Sequence, residues 1–331
     1  MENNQYIEFK QVRNFGDKIT VSFEFLRKNF LPLMKAVLYI AGPFGVMTSA
    51  AYVLFMGDYM ENLSSILQSG EEGYSVSFLT YFVIYISCFV LAMMLLSLTT
   101  MEYVNLYIET KGGIIPFGDV WERVSKRVVP SLLISVLLGL LLISFFGFFT
   151  IGMFLVFGEG GMVIFMIFLS SLFMYYVLIN LAVFFNIFIH EKRTVGEIGA
   201  IIRRCFFLVK EKWWSTFGLL FIMSLIIFAI TTIIQLPLMI TKLSDLFSSV
   251  ADGGQSMEAF YKQSLFEMIY SGIIQFAGFL LYVLLILSIT FQYFNLVERK
   301  ESSGLMEQIE SIGSTTEESK SVADADKDED Y

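Results

Sequence analysis

The chain predicts an all-α integral membrane protein of six transmembrane helices, built as three repeats of an interfacial amphipathic helix followed by a two-span hairpin. Three observations carry that expectation. Of 331 residues, 56% are hydrophobic and 16% aromatic, with a mean hydropathy of +0.69, above the roughly 45–50% apolar usage of soluble domains. Six apolar stretches reach the roughly 20 residues a helix needs to cross about 30 Å of hydrocarbon. A closing phrase in which aromatic residues give way to an asparagine and then to charges occurs three times, as YVNLYIETK around Asn105, FFNIFIHEK around Asn186 and YFNLVERKE around Asn295.

The spans fall near 33–57, 76–100, 131–157, 162–190, 215–240 and 268–297. They are apolar all round, whereas strands of a spanning barrel would alternate polar and apolar, so the spans read as helices. Twenty of the 22 Lys and Arg residues lie in the amino-terminal segment, the second and fourth loops and the tail, leaving only Lys242 and Lys262 opposite. By the positive-inside rule both termini are cytoplasmic. The first 32 residues are polar and mixed in charge, without the apolar core of a signal peptide, so the first span inserts the chain.

Each repeat, over about 15–109, 117–191 and 195–300, opens with an apolar residue, a glycine and an acid: FGD at Phe15, FGD at Phe117, VGE at Val195. Asp17, Asp119 and Glu197 suit helix amino termini, where carboxylates complement unpaired amides. Apolar residues then recur at helical spacing: Ile19, Phe23, Leu26 and Phe30; Phe117, Val120, Trp121, Val124 and Val128; Val195, Ile198, Ile202, Cys205, Phe206 and Val209. The opposite faces are basic, with Arg27 and Lys28, then Arg123, Lys126 and Arg127, then Arg203 and Arg204. Such helices lie in the headgroup plane and face anionic phospholipid. Asn105, Asn186 and Asn295 mark where each hairpin returns to water, and are candidates for a structural hydrogen bond to one another or to the start of the next unit.

Away from the membrane the chain offers little room for a folded domain. The outer segments are 58–75, polar and acidic, a tight FGEGG turn, and 241–267, with a flexible SSVADGGQS stretch. Residues 301–331 carry ten acids against two lysines, so most of the net charge of −9 belongs to this cytoplasmic tail. Within it 302–313 has the spacing of a short surface helix, and the remainder is too polar to bury a core. Cys88 and Cys205 read as ordinary small apolar residues.

Catalytic signatures are absent from the sequence. His190 is the single histidine, which excludes multi-histidine metal sites, and no nucleophile elbow, phosphate loop or dinucleotide fingerprint occurs. No cofactor is expected, and nothing points to nucleic acid. AGPFG at 41–45 reads as a kink or a close helix contact inside the first span. No acid or base lies deep in a span, which disfavours ion-driven chemistry. Buried polarity is left to neutral groups, and Asn180, Gln235 and Gln275 are the residues that would line a pocket between repeats.

The apolar-Gly-acid openings, the phrase IRRCFFLVKEKWWSTFGLL and the QYFNLVERKESSGL ending resemble the multi-span membrane domain attached to some bacterial glycerophosphodiester phosphodiesterases. They also resemble its free-standing relatives, especially those of the Bacteroidetes group. The resemblance spans about 15–313 and implies a bacterial inner-membrane location and a six-helix bundle. It implies no catalytic residue, since the phosphodiesterase of such fusions is a separate soluble barrel. The expectation is a non-enzymatic inner-membrane protein that organises lipid or other envelope membrane proteins through its basic helices. The alternative is a transporter or lipid-handling protein with a pocket between the repeats.

Overall fold

The computed structural model describes residues 6–69, 75–157, 161–251 and 264–302. Among them the chain is helical and without strands: α1 (Phe15–Lys28), α2 (Phe30–Ile40), α3 (Gly42–Ser69), α4 (Val76–Glu109), α5 (Phe117–Phe157), α6 (Gly161–Leu181), α7 (Phe184–His190), α8 (Ile198–Val209), α9 (Trp213–Ala251) and α10 (Leu265–Glu301). Five helical segments are long and apolar enough to cross a membrane. The pair α2 and α3, bent by 60°, makes a sixth if it is one span. This is a multi-pass architecture, as expected for apolar runs that must satisfy every backbone amide without water.

Helix starts follow the sequence closely. Asn14 with Asp17, Thr194 with Glu197, and Ser264 with Glu267 form capping boxes, in which the acid reaches back to the cap residue's amide, at 2.8 Å for Thr194 and Ser264. AGPFG produces both effects expected of it. The chain bends at Ala41, with Pro43 in the first turn of α3 where its missing N–H costs nothing. Gly45 then presses against α10 so closely that a Cβ there would sit 2.6 Å from the Phe279 ring.

Helix ends depart from expectation. α3 runs to Ser69 and α9 to Ala251, past the hydropathy boundaries at 57 and 240, because hydropathy marks where lipid ends and not where a helix ends. Asn62 in that extension donates to the Asp58 carbonyl (2.7 Å) and accepts from the Ser75 amide (2.9 Å). α5 is continuous through Pro130, where a separate interfacial helix was expected. Val124 and Ile134 are both fully buried, so the apolar register carries the helix past the proline. The centre of the FGEGG turn, residues 252–263 of the outer segment and the tail beyond 302 lie outside the described residues.

The dense core sits at one end. Buried residues concentrate in Leu95–Tyr107 of α4, Val283–Leu296 of α10, α7 and α8. Chain segments that would all be cytoplasmic meet there: Arg123 pairs with Glu109, Arg127 donates to the Ile189 carbonyl (2.8 Å), and Arg204 pairs with Glu191 and Glu301. The segment before α1 inserts into this end. Phe9 is fully buried and stacks on Phe291 at 4.3 Å, and the Ile7 amide donates to the Tyr107 hydroxyl at 3.0 Å. α1 accordingly turns Lys18, Val21, Ser22 and Phe25 inward, while Phe23 and Phe30 of its expected apolar face are exposed.

Candidate functional site

Beyond the dense end, α3, α4, α9 and α10 border an open cavity of about 370 Å³, within the size range of small-molecule sites. Gln235 of α9 and Gln275 of α10 both line it, joined by Tyr85 of α4 and Tyr282 of α10. Hydroxyls complete the polar wall: Thr48 and Ser49 from α3, Ser224 and Thr231 from α9. Phe89, Phe228 and Phe279 supply apolar surface. No carboxylate, amine, imidazole or thiol is among the lining residues.

Three of the four hydroxyls spend their protons on their own helices. Thr48 donates to the Phe44 carbonyl, Ser49 to Gly45 and Thr231 to Ile227, each at 2.9 Å. Their lone pairs remain available. Gln275 is within hydrogen-bonding reach of the Tyr85 hydroxyl. Gln235 is exposed and makes no side-chain bond among the described residues, so its amide offers both donor and acceptor. In an apolar stretch an unsatisfied amide costs on the order of 1–3 kcal/mol, a debt that a polar ligand group or water would relieve.

One helix pair beside the cavity is bent, and the helix on another side runs unbroken through a proline. α2 and α3 bend just before Gly45, and α9 carries Pro237 half a turn beyond Gln235. Proline removes one backbone donor and crowds the carbonyl four residues back; nearby, the Ile234 carbonyl accepts from the Tyr270 hydroxyl of α10 at 2.7 Å.

Asn180, which the sequence grouped with the two glutamines, lies elsewhere. It is fully buried on α6, donates to the Tyr176 carbonyl at 2.9 Å, and keeps a buried Oδ1 without a hydrogen-bond partner among the described residues. Depth along a span is readable from sequence, but which helices adjoin is not. The cavity residues missed by sequence reasoning left one signal: Ser224, Thr231 and Gln235, and likewise Gln275 and Tyr282, are spaced to share a helix face.

The three boundary asparagines do three different things. Asn105 donates to Glu102 (3.1 Å) and approaches His190 Nδ1 through its Oδ1 (2.6 Å), which fixes the imidazole hydrogen on Nδ1 and leaves Nε2 a buried acceptor without a partner among the described residues. Asn295 accepts from the Arg13 amide at 2.8 Å, tying the end of α10 to the start of α1. Asn186 is fully buried and neither end of its amide finds a partner among the described residues.

Most of the basic residues assigned to lipid contact are already paired. Lys28 bonds Glu24, Arg123 Glu109, Lys126 Glu122, Arg127 Glu102, and Arg204 Glu191 and Glu301. Arg27 and Arg203 are exposed, with no ion pair among the described residues. Lys18 was not singled out and is the most buried cation among the described residues. Its Nζ donates to Gln292 Oε1 (2.5 Å) and Ser215 Oγ (3.1 Å) without a carboxylate, and burial, then Arg299 and Lys212, push its pKa down to about 8.

Comparison with protein-family models, with curated proteins and with solved structures finds no match for this chain.

Proposed function

We propose that the protein is a non-enzymatic lipid-handling or transport protein of a bacterial inner membrane, holding a neutral, polar-headed amphiphile between its first and third repeats. The observation that carries this reading is the cavity that joins Gln235 and Gln275 to Tyr85 and Tyr282. Its uncharged polar wall suits hydroxyl, amide or ester groups, and its phenylalanines suit an acyl chain. An ion would find no counter-charge there, and a charged headgroup would forfeit its hydration. The reading takes precedence over a scaffold built on free basic faces, because ion pairs within the chain engage most of those cations.

The testing experiment replaces Gln235 and Gln275 together by Leu and quantifies amphiphiles extracted from gently purified protein by mass spectrometry. Wild-type protein should retain one molecular class at fixed stoichiometry, and the double variant should lose it while keeping its helical content. Equal retention by both would remove the cavity from consideration. A second reading, surface engagement of anionic lipid, is favoured at one place: Arg203 is exposed on α8 one turn from the exposed Phe207. Charge reversal of Arg203 should then weaken binding to anionic liposomes.

A further inference from the structure

Lys18 of α1 is only 2% exposed, and its ammonium group meets no carboxylate among the described residues. A buried lysine is ordinarily balanced by an acid. Two neighbouring helices hold this one through neutral groups, Gln292 Oε1 of α10 at 2.5 Å and Ser215 Oγ of α9 at 3.1 Å. The glutamine is fixed in turn: its Nε2 donates to Thr216 Oγ1 (2.8 Å), and that hydroxyl spends its proton on the Lys212 carbonyl (3.2 Å). Two ammonium hydrogens are thereby used, and the third finds no acceptor among the described residues.

The same two helices bring two more cations. Arg299 lies two turns beyond Gln292 on α10, and Lys212, in the turn that leads into α9, stands one turn before Ser215 and Thr216. Helical spacing puts each on the face that holds Lys18. Both are exposed, and they are the charges that, after burial, oppose protonation of Lys18. Arg299 gives one bond to the Arg13 carbonyl at 3.5 Å, a neutral partner, and the Lys212 ammonium makes no bond among the described residues. The acids adjacent in sequence are engaged elsewhere: Asp17 with the Asn14 amide, Glu211 with Lys300, and Glu301 with Arg204. Three positive charges from three chain segments thus share one place, with no carboxylate bonded to any of them.

We propose that Lys18, Lys212 and Arg299 form a binding site for a phosphate group, carried by an anionic lipid headgroup or by a soluble phosphate ester. Ammonium groups and a guanidinium fork are the donors that match phosphate oxygens. The bonds through Gln292 and Thr216 hold Lys18 in place before a ligand arrives, which lowers the ordering cost of binding. Trp214, next to Ser215 and 76% exposed, marks the level of lipid headgroups, where indoles collect. The site is distinct from the uncharged cavity between α3, α4, α9 and α10 and does not depend on what that cavity holds.

The test uses the full chain and three proteins: wild type, the double variant Lys212→Gln with Arg299→Gln, and a control, Lys35→Gln with Lys111→Gln, that removes the same charge from exposed positions elsewhere. Retention of phosphatidylglycerol is followed by native mass spectrometry from nanodiscs of phosphatidylglycerol and phosphatidylcholine. Binding of glycerol 3-phosphate is followed by calorimetry in detergent. One phosphatidylglycerol retained without binding of the ester identifies a headgroup, and saturable one-to-one binding of the ester identifies a soluble ligand. In either case the site variant should bind at least about tenfold more weakly, with the control unchanged. Relief of like-charge repulsion around Lys18 should leave the thermal midpoint of the site variant at or above that of wild type, so lost binding is not lost folding. Equal weakening in the control, undiminished binding by the site variant, or absence of both ligands would overturn the proposal. The Gln235→Leu, Gln275→Leu protein should bind phosphate as wild type does, so failure of either proposal is visible without the other.

Discussion

The two ends of the bundle solve the problem of polar groups in opposite ways. At the basic end many polar side chains are paired, Glu102 with Arg127, Asn105 with His190, Asn295 with the Arg13 amide and Lys18 with Gln292, although the buried Asn186 amide and His190 Nε2 find no hydrogen-bond partner among the described residues. Aromatic rings around Phe9, Phe25, Tyr107 and Phe291 fill the space between them. Towards the other end the helices separate, Gln235 is left unbonded, and uncharged groups surround an opening. The α4 and α10 spans that thread both regions are 33% and 39% buried, whereas the α5 span is only 11% buried. A paired polar group holds helices together, while an unpaired one beside a void is a place to receive something.

Substitutions can break this contrast. The largest loss is expected from Glu102→Ala, which strips Arg127 and Asn105 of their partner at once. Breaking a buried pair from one side costs about 3 kcal/mol, read as a drop in the thermal midpoint of protein in detergent. Gly45→Ala comes next. Its Cβ would collide with the Phe279 ring, and overpacking of this kind costs about 1–3 kcal/mol; Gly45→Ala combined with Phe279→Leu should recover part of it.

Lys18 gives the contrast a pH dependence. Its folded pKa of about 8 lies below the ordinary 10.5, so between those values the unfolded chain binds more protons than the folded one, and stability rises with pH across that window. The thermal midpoint of the wild type should therefore gain on that of Lys18→Met as pH rises from about 8 to 10.5. A constant difference across the window would mean that Lys18 is not held against its charge. The smallest effect should come from Lys242→Ala at the opposite end. Glu267 is buried but keeps its Ser264 amide partner when Lys242 is removed, so the loss should stay below that of Glu102→Ala.

Much of the fold was legible in the sequence, for physical reasons that can be named. Hydropathy located the spans because lipid leaves backbone amides no partner outside a helix, and Asp17 and Glu197 announced helix starts that the capping boxes realise. The extensions of α3 and α9 were not legible, since polar residues such as Asn62 sustain a helix outside lipid through local bonds. For the site, Gln235 and Gln275 were identified by their polarity within apolar runs. Asn180 satisfied the same criterion and sits on another helix. Tyr85 and Tyr282 were passed over because tyrosine in a span reads equally as an interfacial residue. The burial of Ile7 and Phe9 was hidden by the charged residues around them, which snorkel outward while the two apolar side chains turn in.

The central claim is that the cavity of Gln235 and Gln275 holds an amphiphile. The most direct measurement is a cryo-EM map of the full chain in nanodiscs drawn from its own membrane without detergent exchange. Continuous elongated density between α3, α4, α9 and α10, with its polar end at Gln235 and Gln275 and its apolar end along Phe89 and Phe228, is the predicted result. A cavity closed by side chains, or filled only by discrete water-sized peaks, would contradict it.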